Sequence, residues 1–331
     1  MPTEIRMDSK TKATGITVTP ENFNRAESDM YFSTQVLKEN AFGKFKHLRE
    51  LFSIDNQIVV RGNRDTLYSS AVFDLETSPV TITLPDPGQR FMSLMAVNED
   101  HYAFDVRYGA GSYSFTRAQA DTRYILIAIR TLVDPNDPAD IKEVHRLQDA
   151  IQVHQPGGPG KFEVPEWNKE TQKKVRDALS KLGETMSGFS KAFGKKEEVD
   201  PLKHLIGTAR GWGGNPDRDA QYLSVTPEEN DGNTIYRLVV KDVPVDGFWS
   251  VTVYNEEGYM VKNDRNAYSI NNITARREID GSVVIQFGGC GDTAKNCLPI
   301  VKGWNYTVRM YRPRKEILDG TWKFPEPQVQ S

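Results

Sequence analysis

Histidine and cysteine are scarce in this chain of 331 residues, which has five of the first and two of the second. The histidines, at positions 47, 101, 145, 154 and 204, never pair at metal-ligand spacing. The cysteines, Cys290 and Cys297 in "GGCGDTAKNC", have no histidine near them, so a zinc site is not expected. Two free thiols in a loop and a hairpin disulfide both stay open, and the disulfide would imply an oxidising compartment. Charge of one sign is missing too. A formal net charge of -3 gives no electrostatic reason to expect nucleic acid or an anionic membrane surface. No apolar run approaches the roughly 18 residues that span a bilayer. The opening "MPTEIRMDSKTKATG" lacks the apolar stretch of a signal peptide. The chain as given is expected in the cytoplasm, or in the periplasm or outside the cell if a signal peptide has been removed. Neither a G-x-S-x-G nucleophile elbow nor an H-E-x-x-H metal helix occurs. "GGPGK" at 157–161 has the wrong glycine spacing for a phosphate loop, and Phe162 stands where a Ser or Thr belongs. No cofactor and no metal are expected.

What is present reads as globular and strand-rich. Apolar residues make up 38% and aromatic residues 10%, enough to argue against disorder although the mean hydropathy is -0.56. An N-terminal helix is expected in "TPENFNRAESDMYFSTQVL", capped by Thr19 with Pro20 in its first turn, and with Phe23, Ala26, Met30 and Leu37 on one face. From 56 to 132 short β-branched and aromatic runs follow: "QIVVRG", "TLYSSAVFDL", "PVTITLP", "RFMSLMAV", "AFDVRYG", "SYSF" and "TRYILIAIR". Turn residues separate them, which suggests an antiparallel sandwich or barrel. The middle is helical: "NDPADIKEVHRLQDAIQV", then a helix capped by Asn168 in which Val175, Leu179, Leu182, Met186, Phe189 and Phe193 recur until "GKKEEVDP". Strand character returns from 218 to 312, before a Pro-rich tail expected to run extended along the surface.

The chain also resembles itself. "NRDTLY" matches "DRDAQY" at Arg64/Arg218, Asp65/Asp219 and Tyr68/Tyr222. "RFMSLMAVNEDHY" matches "GFWSVTVYNEEGY" at Phe91/Phe248, Ser93/Ser250, Asn98/Asn255, Glu99/Glu256 and Tyr102/Tyr259. "YILIAIR" at 124–130 echoes "YTVRMYR" at 306–312 in the same order along the chain. Two related β units flanking a helical segment are expected. A device used twice is first a structural one: the Arg-Asp couple can hold a loop by a bidentate pair, and the tyrosine can cover the sheet edge. A ligand-facing role is the alternative. The "NE" after each strand is a turn signal, since Asn tolerates left-handed backbone.

"VVRGNRDTLYSSAVFDL", "PVTITLPDPGQRFMSLMAVNEDHY", "WGGNPDRDAQYL", "VPVDGFWSVTVYNEEGYMVKNDRNAYSINN" and "GDTAKNCLPIVKGWNYTVRMYRPR" resemble the bacterial proteins that combine domain-of-unknown-function 1254 with domain-of-unknown-function 1214. The resemblance runs from about residue 20 to 325. It implies two β-sandwich domains, the second jelly-roll-like, with a helical module between them. Many relatives carry an export signal. The family brings neither a reaction nor catalytic residues.

The fold expected is therefore mainly β: a helical segment over 1–55, a first antiparallel sandwich over 56–134, a helical module over 135–210 and a jelly-roll-like sandwich over 211–331. The site is expected in the cleft where the two β units face the helices. His101, beside Asn98, Glu99, Asp100 and Asp105, is expected to have a raised pKa and to act as general acid or base with Asp65 or Asp219. A polar hairpin turn is the plainer reading, and His145 and His154 are expected in solvent. Arg64, Tyr68, Tyr102, Arg218, Tyr222, Asn255, Tyr259 and Asn263 are the expected ligand-binding residues, because aromatic, amide and guanidinium groups suit hydroxylated or carboxylated molecules. The leading function is binding of a small polar or carbohydrate-like ligand. A cofactor-independent hydrolase or lyase and a structural, self-associating protein are the alternatives. A homo-oligomer is expected, with no nucleic-acid and no membrane partner.

Overall fold

The computed structural model describes residues 14–57, 60–186, 188–292 and 294–330. The first β unit comprises β1 (Lys46–His47), β2 (Thr66–Asp74), β3 (Val80–Leu84), β4 (Met92–Asn98), β5 (Ala103–Tyr108), β6 (Gly111–Phe115), β7 (Tyr124–Leu132) and β8 (Gln152–His154). They make an antiparallel sheet in the order β1-β2-β7-β4-β5 and a smaller one in the order β6-β3-β8. Alternation is visible in β3, where Val80, Ile82 and Leu84 are buried and Thr81 and Thr83 are not. Those three share one core with Phe73, Leu94, Phe115, Ile125 and Ile127, so both sheets are held by the same apolar cluster. Each such side chain contributes about 1.5–3 kcal/mol by leaving water.

The second unit repeats the plan with β9 (Ala220–Val225), β10 (Tyr236–Val240), β11 (Trp249–Tyr254), β12 (Ser269–Asn271), β13 (Val283–Phe287), β14 (Cys297–Leu298), β15 (Asn305–Tyr311) and β16 (Gln328–Val329). The sheets run β12-β11-β15-β9 and β14-β13-β10-β16, antiparallel except for β13 with β14. Leu238, Val251, Ile285, Phe287, Trp304 and Val308 form the shared core. In both units the first long strand pairs with the last, and the last with the strand that carries the repeated Phe and Ser. The register agrees residue by residue. Tyr68 lies opposite Arg130, Arg130 opposite Ser93, and Ser93 opposite Tyr108. Tyr222 lies opposite Arg309, Arg309 opposite Ser250, and Ser250 opposite Asn271. The third sequence match is thereby corrected. Arg130 corresponds to Arg309, not Arg312, and a slip of three residues would have put it on the wrong face of the sheet.

Several boundaries also differ from the expectation. Outside 56–134, β1 pairs with β2 and β8 with β3. "QIVVRG" makes no strand at Gln57 or Val60–Gly62, and Ile58 and Val59 lie outside the described residues. Helix α1 (Phe23–Ser33) starts after Asn22, whose Oδ1 is taken by the Thr19 amide, so Thr19 and Pro20 precede it. It widens into a π turn over Thr34–Lys38. A short α2 (Arg117–Ala120) precedes β7, and α3 (Pro138–Asp149) is capped by Asp137. Helix α4 (Lys169–Gly183) is capped by Asn168 as expected, but ends at Gly183. Phe189 and Phe193 therefore lie beyond it. A further helix, α5 (Pro201–Gly211), is capped by Asp200, and α6 (Lys315–Leu318) follows β15. A Cβ on Gly183 would sit 2.4 Å from the Arg210 side chain, so the glycine lets α4 and α5 approach. Cys290 and Cys297 are joined as a disulfide. The tail is not merely draped over the surface: β16 extends a sheet and Phe324 enters the second core.

Candidate functional site

The two units meet through equivalent residues. Phe91 and Phe248 touch each other with ring centroids 5.1 Å apart, and Tyr311 stacks on Phe248 at 4.4 Å. The aspartates of the repeated couples each reach the opposite unit. Asp65 Oδ1 accepts from Ser269 Oγ at 2.9 Å and Asn271 Nδ2 at 3.0 Å on β12. Asp219 Oδ1 accepts from the Tyr108 hydroxyl at 2.8 Å on β5, the strand equivalent to β12. Self-contact of equivalents and reciprocal exchange are the marks of a pseudo-two-fold seam. Burial raises the Asp219 pKa, against the Tyr108 hydrogen bond and Arg218, and burial with the nearby Asp219 raises that of Tyr108.

Neither couple forms the expected bidentate pair. Arg64 leaves Asp65, donating to the Phe52 carbonyl and lying 5.3 Å over the Tyr268 ring. Arg218 touches Asp219 Oδ2 only at 3.4 Å and binds Glu198 more closely, at 2.5 Å.

The equivalent arginines have opposite surroundings. Arg309, 4% exposed, donates to Thr252 Oγ1 at 3.0 Å, to the Arg61 carbonyl at 2.7 Å and to the Tyr254 hydroxyl at 2.7 Å. Burial lowers its pKa, but Tyr254, Tyr311 and Asp65 more than offset this. Arg130, 8% exposed, donates from Nη2 to the Gly213 carbonyl at 3.2 Å, and its guanidinium lies 5.6 Å over the ring of Tyr68, whose hydroxyl also bonds to its side chain. Its Nη1 is buried without a partner. Among the described residues no carboxylate lies within ion-pair distance of it. Burial lowers its pKa, and the oxygens of Tyr68, Tyr311 and Tyr222 raise it beyond that loss. Around it stand further polar groups. Asn215 Nδ2 donates to the Tyr222 hydroxyl at 2.8 Å and Asn63 Nδ2 to that of Tyr311 at 3.3 Å. Ser250 Oγ opposite Arg309, and Thr66 Oγ1, Asp65 Oδ2 and Asp219 Oδ2 are buried without hydrogen-bond partners, as is Thr131 Oγ1, which the alternation of β7 turns to the other face of the sheet. Tyr222 is 46% exposed, so the cluster reaches solvent on its side.

The other expected residues lie elsewhere. His101 is 2% exposed and stacks between His204, at 5.4 Å, and Trp212, at 5.2 Å. The Thr208 hydroxyl donates to the His204 carbonyl, so His101 Nδ1–H donates to Thr208 Oγ1 at 2.7 Å, while Nε2 accepts from the Gly213 amide at 2.7 Å. Both nitrogens are occupied and neither faces a carboxylate. The expected raised pKa is corrected: burial first, and His204 second, push it well below the ordinary value. Tyr102 stacks on His204 at 4.5 Å. His145 is also bonded, to the Arg49 carbonyl.

The turns after β4 and β11 are equivalent. Asn98 Oδ1 accepts from the Tyr102 amide at 2.9 Å and Asn255 Oδ1 from the Tyr259 amide at 2.8 Å. The left-handed position is not the Asn but His101, with φ 67, which corresponds to Gly258, with φ 89. Asn263 is used in the same way, accepting from the Ala267 amide at 3.1 Å and donating to its carbonyl at 3.0 Å. The amides expected to meet a ligand shape loops instead. Among the described residues no group of three or more His, Cys, Asp or Glu side chains is placed to hold a metal ion, and no helix is long and apolar enough to cross a membrane.

Comparison with known proteins divides the chain between two family models. The family model described as Protein of unknown function (DUF1254) matches residues 42–113, and that described as Protein of unknown function (DUF1214) matches residues 221–315. The chain is a DUF1254–DUF1214 protein. Nothing matches among curated proteins. The crystal structure of the VPA0106 protein from Vibrio parahaemolyticus is similar over 94% of this chain and 98% of that one, with a TM-score of 0.73 and 18% identity. That of an uncharacterised protein from Burkholderia cenocepacia is similar over 94% and 88%, with a TM-score of 0.51 and 11% identity. At these identities the likeness concerns the fold alone. In this DUF1254–DUF1214 protein the seam gathers Asp65, Tyr68, Asp219 and Tyr222 of the expected residues. It adds Arg130, Asn63, Asn215 and Tyr311, which sequence reasoning missed. The available signal was a lone arginine at an outward position of the apolar strand "YILIAIRTL".

Proposed function

We propose that the protein binds a small polar ligand bearing a carboxylate, or a similarly planar anionic group, at the seam between its two β units. The observation that carries this reading is the contrast between the equivalent arginines. Arg309 is saturated by its own chain, whereas Arg130 is a buried cation with a free donor and no acidic partner. A buried charge is strongly disfavoured unless paired, and a guanidinium pairs best with a planar two-oxygen anion. The Tyr68 and Tyr222 hydroxyls and the Asn215 amide are suited to the hydroxyls of such a ligand. Carboxylated sugars and hydroxy acids therefore fit better than neutral carbohydrates. An acid–base reaction through His101 is not part of this reading, because both its ring nitrogens are engaged.

Two sheets over one core in each unit support sandwich domains, the second jelly-roll-like. The Cys290–Cys297 disulfide supports an oxidising compartment, such as the periplasm, over the cytoplasm. A thermal-shift screen of uronates, hydroxy acids and dicarboxylates beside their neutral sugar and alcohol counterparts tests the binding. Stabilisation confined to the acids is expected, and equal response to the neutral set, or none to any compound, refutes it.

A further inference from the structure

Another buried polar group without a partner lies outside the seam, in the helical part of the fold. A cavity of about 610 Å³ opens between the C-terminal half of α1, the π turn at Thr34–Lys38, the segment Val164–Trp167 and the first turns of α4. Its walls are mostly apolar, with Ala26, Met30, Leu37, Val164, Pro165 and Trp167. Leu37 is 76% exposed, so apolar surface stands open to water at the entrance. Asp29 also lines it and is 1% exposed. Its Oδ2 accepts from Trp167 Nε1 at 2.7 Å, and its Oδ1 is buried with no partner. The cavity borders a π turn, a helical distortion found frequently at functional sites.

We propose that this cavity is a binding site for a primary amine with an apolar body. The ammonium donates to Asp29 Oδ1, and the hydrocarbon or aromatic part lies against Trp167, Met30 and Leu37. A carboxylate oxygen can only accept, so the missing partner is a donor, and a cationic donor also balances the charge in a place poor in water. Trp167 offers an aromatic surface beside the cation. The neighbouring charges are Arg25, which favours ionised Asp29, and Glu99 and Asp100, which oppose it. At the rim Arg176 and Lys173 are already paired with Glu27 and Asp177. Lys38, Lys169 and Glu166, which also line the cavity, are exposed, where solvent and salt screen them. Burial pushes Asp29 up to about 7, so an ammonium that binds the ionised carboxylate must displace a proton below that pH.

Isothermal titration of the full chain with phenethylamine, hexylamine and tryptamine, beside 2-phenylethanol and phenylacetate, tests this site. Saturable binding of the amines alone is expected, tightening by about tenfold from pH 6 to pH 8 as Asp29 loses its proton. Asp29→Asn should weaken the amines at least tenfold and abolish that pH dependence while leaving the far-ultraviolet circular dichroism unchanged. Leu37→Ser, at an exposed wall, should weaken tryptamine several-fold with the pH dependence retained. Equal binding of the alcohol or acid, absence of amine binding, or undiminished affinity and pH dependence in Asp29→Asn overturns the proposal.

Discussion

Replacing Arg309 by methionine should unfold the protein far more readily than replacing Arg130 by the same residue, although the two arginines occupy one position of a duplicated sheet. Methionine keeps most of the aliphatic stem and removes the charge and the donors. At Arg309 this strands the Arg61 carbonyl, takes one of two hydrogen bonds from the Tyr254 hydroxyl, which keeps the Gly62 carbonyl, and from Thr252 Oγ1, which keeps Ser269, and removes the cation that acts on buried Asp65. Breaking a buried charged network from one side costs about 3–5 kcal/mol. At Arg130 only the bond to the Gly213 carbonyl and the contact with Tyr68 disappear, while the unfavourable burial of an unpaired cation disappears with them. The expected change lies between a loss of about 1 kcal/mol and a gain of about 2 kcal/mol. Urea unfolding followed by tryptophan fluorescence and circular dichroism measures both. A loss for Arg130→Met as large as that for Arg309→Met would refute the reasoning, because it would make Arg130 an equally structural residue.

The stability of the free protein should depend on Asp29. Its folded pKa is raised from 3.8 to about 7, so the unfolded chain ionises first as pH rises, and stability is lost between those values. Asp29→Asn should remove that loss, gaining up to about 4 kcal/mol relative to wild type on going from pH 4 to pH 8; parallel melting-temperature profiles would contradict the burial argument. The His101 ring, with its proton on Nδ1, should take up a second proton only at a pH below that of an ordinary histidine in nitrogen-detected NMR, whereas an inflection at or above the ordinary value would restore an acid–base role. Gly258→Ala should destabilise by about 1–2 kcal/mol through its positive φ alone, since a Cβ there meets nothing closer than 3.5 Å. Unchanged stability would show that the turn relaxes.

Much of the architecture was legible because strands with one buried face alternate, and because turn residues punctuate them. The repeat was legible at Tyr68/Tyr222 and Phe91/Phe248. It slipped at the third strand, where Arg309 and Arg312 in "RMYR" compete for one match and only the backbone register decides. Helix α5 was hidden because "PLKHLIGTARG" carries two glycines, of which Gly207 lets the helix pack closely against Ala192 and Phe193. The same hidden helix supplies His204 and Thr208, so the surroundings of His101 could not be read from its acidic neighbours in sequence. Local polarity misled again at Asn255 and Asn263, whose side chains close their own turns. Arg130 was passed over because its meaning lies in what it lacks, and that shows only when Arg309 is placed beside it.

Titration of the strongest carboxylate from the screen into wild-type protein and Arg130→Met tests the central claim most directly. One ligand per chain for the wild type, with binding weakened at least a hundredfold in the folded variant, is the result predicted. Equal affinity in the two proteins would contradict the assignment of Arg130 as the anion-binding group.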